Sequence, residues 1–228
     1  MRKLIVGAMI SLDGVMQAPG GPEEDPTGGF KYGGWVFNYF DDALGQEISD
    51  SFSEQFDLLL GRKTYDIFAA HWPHVELDRA AGTFDEGNAF IAERFNAVTK
   101  YVATHRPDSL DWVNSESLGN DVVAGVRALK KGDGPALLTQ GSTELLQTLF
   151  RHDLVDELRL LVFPLVLGRG KRLFGDGAIP AGFRLTRSSA SQSGALIARY
   201  ERDGEVRSGS FAAEQPSEAE LERRRNLK

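Results

Sequence analysis

Three short segments of the 228-residue chain share one pattern, in which an apolar run stops and small residues, hydroxyls and cations follow at once. Leu58-Leu59-Leu60 leads into Gly61-Arg62-Lys63-Thr64. The run at 98–103 leads into Thr104-His105-Arg106, and the run at 136–139 into Gln140-Gly141-Ser142-Thr143. Glycine lets a chain turn and lets a ligand approach the backbone closely. Hydroxyls donate hydrogen bonds and the cations supply charge. Two of the segments also open helical patterns, whose first N–H groups are free and whose dipole favours an anion. The chemistry implied is phosphate binding. The adjacent Arg62 and Lys63 suit an adenosine 2′-phosphate, so the ligand expected is a phosphorylated dinucleotide, NADPH rather than NADH. Read singly, each segment also passes for a solvated helix turn, a surface loop or an ordinary cap. Their recurrence at three strand ends makes the case.

Other chemistries find less support. No cysteine is present, which excludes disulfides, Cys-ligated zinc and a Cys nucleophile. His71, His74, His105 and His152 do not fall at metal-ligand spacing, so no metal is expected. There is no G-x-G-x-x-G, Walker sequence or G-x-S-x-G elbow. Hydride transfer would still need a proton donor. Asp13, in the turn Asp13-Gly14, and Asp42, at the start of a helical pattern, are the catalytic candidates, alongside an ordered water.

These residues need a scaffold. Residues 4–10 read as a buried strand ending at Asp13-Gly14. Residues 17–34 are rich in Gly and Pro, a long loop of the kind that is functional or disordered. An aromatic cluster from Phe30 to Phe40 borders it, and the pair suggests a lid over a flat ring. From Asp41, the four-residue spacing of Leu44, Ile48 and Phe52 marks one helix face. Strands at 56–60, 98–103 and 136–139 then alternate with helices at 63–70, 84–95, 120–130 and 142–150. Such alternation implies a mostly parallel sheet covered on both faces, with ligands beyond the carboxyl ends of the strands. Residues 155–168, 168–174 and 183–202 read as strands added antiparallel on one side. The fold class expected is a three-layer α/β/α domain over 1–203. Residues 204–228 form a charged tail, read as mobile with a short exposed helix as the alternative.

Composition bounds the partners. A formal net charge of −7 argues against general nucleic-acid binding. No apolar run approaches the ~20 residues of a membrane span, and the N-terminal "MRKLIVGAMISLDG" reads as a first strand rather than a signal peptide. A soluble cytoplasmic protein with a small-molecule substrate is expected. The apolar run from Leu158 to Leu167 is long for an edge strand, and covering it would produce a homodimer.

The segments "SLDG", "LLLGRKTYD" and "LLTQGSTELLQTLFRHDLVDELRLLVFPLVLGRGKRLF" together resemble the dihydrofolate-reductase-like superfamily. They are most similar to stand-alone relatives of the reductase domain in the bifunctional riboflavin-biosynthesis deaminase-reductase. The resemblance runs from about Leu4 to about Arg202. It implies a sheet of about eight strands, NADPH as hydride donor and often a homodimer. It places Gly61, Arg62, Lys63 and Thr64 at the phosphate-binding turn, and Thr104 and His105 near the adenosine ribose or its phosphate. Gly141, Ser142 and Thr143 fall under the pyrophosphate, with a cis Gln140-Gly141 peptide. Met9 and Ile10 fall near the nicotinamide, and Trp35 matches a tryptophan after the first loop. Riboflavin-pathway reductases carry Glu-x-Gly where this chain has Thr139-Gln140-Gly141, so Thr139 is the residue expected beside the substrate. The helix carboxylate of dihydrofolate reductases falls near Gly45, one turn from Asp41 and Asp42.

Three functions follow. One is an NADPH-dependent reductase of a pterin-like or pyrimidine-like heterocycle. Another is the 5-amino-6-(5-phosphoribosylamino)uracil reductase of riboflavin biosynthesis. The third is a dinucleotide-binding module without turnover.

Overall fold

The computed structural model describes residues 1–175, 178–211 and 216–227. The strands are β1 (Leu4–Ser11), β2 (Phe56–Gly61), β3 (Lys100–Ala103), β4 (Ser115–Ser117), β5 (Ala136–Gln140), β6 (Glu157–Phe163), β7 (Phe183–Ala190) and β8 (Leu196–Arg202). They form one sheet in the order β4-β3-β2-β5-β1-β6-β8-β7. Six strands run parallel, from β4 through β6. β8 joins antiparallel to β6, and β7 antiparallel to β8. The central strand β1 reads "LIVGAMIS" and is buried almost throughout, as a strand covered on both faces must be.

The helices are α1 (Asp42–Ser53), α2 (Arg62–Ala69), α3 (Glu86–Ala97), α4 (Val122–Lys131), α5 (Thr143–Arg151) and α6 (Glu218–Arg225). Leu145, Leu146 and Leu149 of α5 and Val126 of α4 pack on one face of the sheet, against Leu4, Val6, Leu59 and Leu137. Phe52 of α1, Tyr65 of α2 and Phe95 of α3 pack on the other, against Ile5, Leu58, Leu60 and Leu138. A third cluster joins Leu44 of α1 to Trp35, Leu161 and Phe163. The alternation of side chains along β5 decides which residues meet which layer.

Several expectations need correction. β6 runs parallel to β1 and lies between β1 and β8, so the apolar run from Leu158 is largely interior. The sheet edge on that side is β7, so β6 presents no exposed edge for a second copy of the chain to cover. Residues 168–174 form no strand, only an isolated bridge from Val15 to Arg172. β4 is a three-residue edge strand too short to show a period in sequence. The tail expectation covers 212–215 and 228, which lie outside the described residues. Within the described part, α6 is an exposed helix capped by Ser217, the alternative reading of that segment.

Candidate active site

The strand ends converge as the alternation required. Gly61 closes β2, Ala103 closes β3 and Gln140 closes β5, and β2 lies between the other two. The N-termini of α2 and α5 meet there. The Gly61 N–H donates to Ser142 Oγ at 2.9 Å, and the Ser142 N–H donates to Thr64 Oγ1 at 2.8 Å. Gly141 sits between them with φ of +59°, and a Cβ built there would lie 3.2 Å from Thr64 Oγ1. Ser142 itself is left-handed, with φ of 55°.

The helix caps set this place apart. Asp41, Asp85, Asp121 and Ser217 each accept a backbone N–H at the start of α1, α3, α4 and α6. α2 and α5 have no side-chain cap. Their first N–H groups are left for another partner. This cradle, which a side chain at Gly141 would fill, fits an anionic ligand such as a pyrophosphate.

A cavity of about 1060 Å³ opens beside it, lined by Gly7 and Met9 of β1, Leu138 and Gln140 of β5, and residues of α1, α2 and α3. A Cβ at Gly7 would fall 2.3 Å from the Gln140 side-chain amide nitrogen, which would have to swing away. The loop at 17–34 forms part of the wall through Pro19, Gly20, Gly21 and Glu24. Asp25 pins that loop. Its carboxylate binds Lys63 Nζ at 2.5 Å and Lys171 Nζ at 2.8 Å. Burial raises its pKa, but the Lys171, Lys63 and Thr27 hydrogen bonds outweigh that and hold it well below the usual carboxylate range.

The residues singled out in sequence divide accordingly. Thr64, Gly141 and Met9 line the cavity, and Gly61 and Ser142 brace its rim. Thr143 opens α5. Arg62 reaches toward the end of β3, bonding Asp66 at 2.8 Å and Ser109 Oγ at 2.7 Å. Thr104 is buried and its hydroxyl accepts the Arg106 N–H, while His105 is exposed. Ile10 packs in the core of the opposite face. Trp35 is also structural, since its indole N–H donates to Gln17 O at 2.8 Å and its ring packs on Phe163.

Three candidates point elsewhere. Asp13 is committed to a turn, accepting the N–H groups of Leu167 and Gly168 at 3.0 and 2.9 Å. The Ser11 hydroxyl is the largest factor lowering its pKa. Asp42 is exposed and does not line the cavity. Thr139 is fully buried and, by strand alternation, faces away from the cavity that Leu138 and Gln140 line. The Gln140-Gly141 peptide is trans, and no cis bond occurs among the described residues.

Sequence reasoning missed Glu47 and Glu24. Glu47 lies on the buried face of α1, where Arg199 Nε donates to it at 2.8 Å. An acid three residues after Leu44 and one before Ile48, inside an apolar stripe, was the available signal. Glu24 lines the cavity from the loop, and its Oε2 accepts the Gly20 N–H at 2.7 Å. Burial pushes its carboxyl pKa up against the N–H bonds of Gly20 and Gly21. No sequence pattern marks it.

A mostly parallel eight-stranded sheet with two antiparallel strands at its C-terminal end, carrying helices on both faces, is the dihydrofolate-reductase-like fold. The chain belongs to the RibD C-terminal domain family, which matches residues 2–197. It is 26% identical over 209 residues to the uncharacterized protein YyaP of Bacillus subtilis strain 168, covering 89% of this chain and 96% of that one. A putative riboflavin biosynthesis protein from Shewanella sp. PV-4 aligns with a TM-score of 0.59 at 19% identity, over 88% of this chain and 99% of the other. Dihydrofolate reductase from Enterococcus faecalis, solved with NADP(H), aligns at 0.51 with 14% identity, over 88% and 96%. No described helix is long and apolar enough to cross a membrane.

Proposed function

We propose that this protein is an NADPH-dependent reductase of a small heterocycle, pterin-like or pyrimidine-like. One observation carries the reading: α2 and α5, neither of which has a side-chain cap, bring their N-termini together at Gly141, at the mouth of the large cavity. The family and the fold shared with an NADP(H)-bound reductase support it.

Gly61, Thr64, Gly141, Ser142 and Thr143 hold the pyrophosphate. Arg62, Thr104 and His105 serve the adenosine ribose and its phosphate, with Lys63 shared between that phosphate and Asp25. The strand backbone at Met9 faces the nicotinamide. When bound, the cofactor supplies the hydride. The chain supplies orientation, a wall that excludes water, and a proton. Glu24 holds that proton, because it lines the cavity and its burial raises its affinity for it. Glu47 instead is paired with Arg199 at 2.7 Å.

Fluorescence titration with the two reduced nicotinamides tests the reading. A charge-assisted contact to the 2′-phosphate is worth roughly 1.5–3 kcal/mol, so NADPH is expected to bind about tenfold or more tighter than NADH. Arg62→Ala is expected to close much of that gap. Equal affinities in the unaltered protein would sink the proposal.

A further inference from the structure

We infer that the compound reduced in this cavity carries no phosphate and is a flat heterocycle, uncharged or bearing a basic amine. The inference deepens the reductase reading and rests on it. It concerns the part of the cavity beyond Met9 and Gln140, away from the cofactor cradle.

The walls there are apolar and largely aromatic. Ile48 and Phe52 of α1, Phe68 of α2, Trp72, and Phe90 and Phe95 of α3 line them. Stacked and edge-on ring pairs hold this wall rigid, with Phe68 and Phe95 stacked at 5.6 Å and Trp72 edge-on to Phe95 at 5.4 Å. Such a slot takes a planar ring and gives a charged group little solvation.

The charges that do line the cavity have one dominant sign. Of the acids that line the cavity, Glu24 carries the proton of the proposed reaction and Glu47 is paired with Arg199, which leaves Asp85, Glu86 and Glu93 against the guanidinium groups of Arg79 and Arg159. Arg159 is committed within the wall, while Arg79 stands exposed at the rim. Arg159 has a side chain only 10% exposed and bonds Glu157 and Glu54 at 2.7 Å each. Arg79 sits at the rim, over the Phe84 ring and 3.6 Å from Glu86. His71, also exposed, packs edge-on against Trp72 at 4.7 Å.

The neighbouring cations behind the wall are also taken. Lys63 and Lys171 hold Asp25, and Arg199 holds Glu47 and Glu54. Arg94 donates to the carbonyls of Phe52 and Glu54. The N-terminus of α3 borders this part of the cavity, but Asp85 caps it and Glu86 occupies its first turn. A phosphate placed there would meet two carboxylates before it met a free donor. The cofactor cradle is the reverse case, with two helix N-termini that no side chain caps. Among the described residues, the wall inside the rim offers a phosphate no uncommitted cation, whereas the cofactor cradle offers two uncapped helix N-termini.

The test uses a matched pair: 5-amino-6-ribitylaminouracil and its 5′-phosphate. Each is titrated by calorimetry into the full chain loaded with NADPH. The unphosphorylated compound is expected to bind at least about tenfold tighter, since an uncompensated like charge is costly at close range. Glu93→Lys, on the exposed side of α3, is expected to narrow the ratio severalfold. Equal or tighter binding of the phosphate overturns the inference, and so does failure of both compounds to bind. If NADPH itself does not bind, the reductase reading falls, and the same pair titrated into cofactor-free protein still decides the phosphate question.

Discussion

Thr64 and Ser142 lock two helix N-termini together: the Ser142 N–H donates to Thr64 Oγ1 at 2.8 Å, and Ser142 Oγ accepts the Gly61 N–H at 2.9 Å. The two residues are 78 positions apart in the chain, and this exchange sets the width of the proposed phosphate cradle. Thr64→Val keeps the shape but removes the acceptor. An unsatisfied N–H costs about 1–3 kcal/mol when buried. NADPH affinity is expected to drop about tenfold with a melting-temperature loss of only a few degrees. Unchanged affinity in the folded variant would remove Thr64 from the site.

Gly141 tests the same cradle differently. Its φ of +59° is left-handed, and a Cβ would press on Thr64. Gly141→Ala is therefore expected to lose about 1–2 kcal/mol of stability from backbone conformation alone, read by urea denaturation without ligand. NADPH binding is expected to weaken further than that loss explains. A variant of full stability would contradict the left-handed conformation.

Asp25 ties the glycine-rich loop to the cofactor end through Lys63 and Lys171. Its depressed pKa gives a signed prediction. Stability from this carboxylate is present above its unfolded pKa of about 3.8 and is lost as pH falls through the lower folded value. Asp25→Asn is expected to flatten the acid limb of the melting curve and speed amide exchange over 17–34. It also frees Lys63, so NADPH is expected to bind a few-fold tighter. Slower exchange in the loop of Asp25→Asn would refute the pinning role.

Lys100 is fully buried, with its ammonium donating to the carbonyls of Phe95, Asn96 and Val98 and lying over the Trp112 ring at 4.5 Å. Burial pushes its pKa down from 10.5 to about 8. Between those values the unfolded chain binds more protons than the folded one, so this residue makes stability rise with pH across that window. The rise is expected to reach, as an upper bound, about 3 kcal/mol. Lys100→Met is expected to abolish it relative to the parent in paired melts from pH 7 to 11, taken as roughly spanning the window. A parallel pair of curves would disprove the assignment.

Glu47 on the buried face of α1 meets Arg199, with Arg187 3.5 Å from its second oxygen. Removing one partner of a buried pair typically costs about 3–5 kcal/mol. Glu47→Gln is expected to approach the lower end, because Arg199 keeps Glu54 at 3.2 Å. Chemical denaturation measures it, and a loss below about 0.5 kcal/mol would mean that the pair is solvent-screened.

Local chemistry settled much of this protein in advance. The end of β2 at Gly61-Arg62-Lys63-Thr64 and the end of β5 at Gln140-Gly141-Ser142-Thr143 were legible because an apolar run followed by glycine and hydroxyls has few other uses. The alternation of strand and helix gave the parallel sheet, since each pattern depends on neighbours within a few residues. Tertiary structure decided the rest. Which face Thr139 and Gln140 present depends on the register of β5 against β1, and that shift by one residue moved the cavity-facing role from one to the other. β6 reads the same whether it pairs parallel or antiparallel, and only its place beside β1 made it interior. Asp13 and Asp42 look as suited to proton transfer as Glu24 does. Their partners, more than a hundred residues away for Asp13 and solvent for Asp42, are what withdraw them. A carboxylate's role is set by what surrounds it in space, and the order of residues along the chain does not record that.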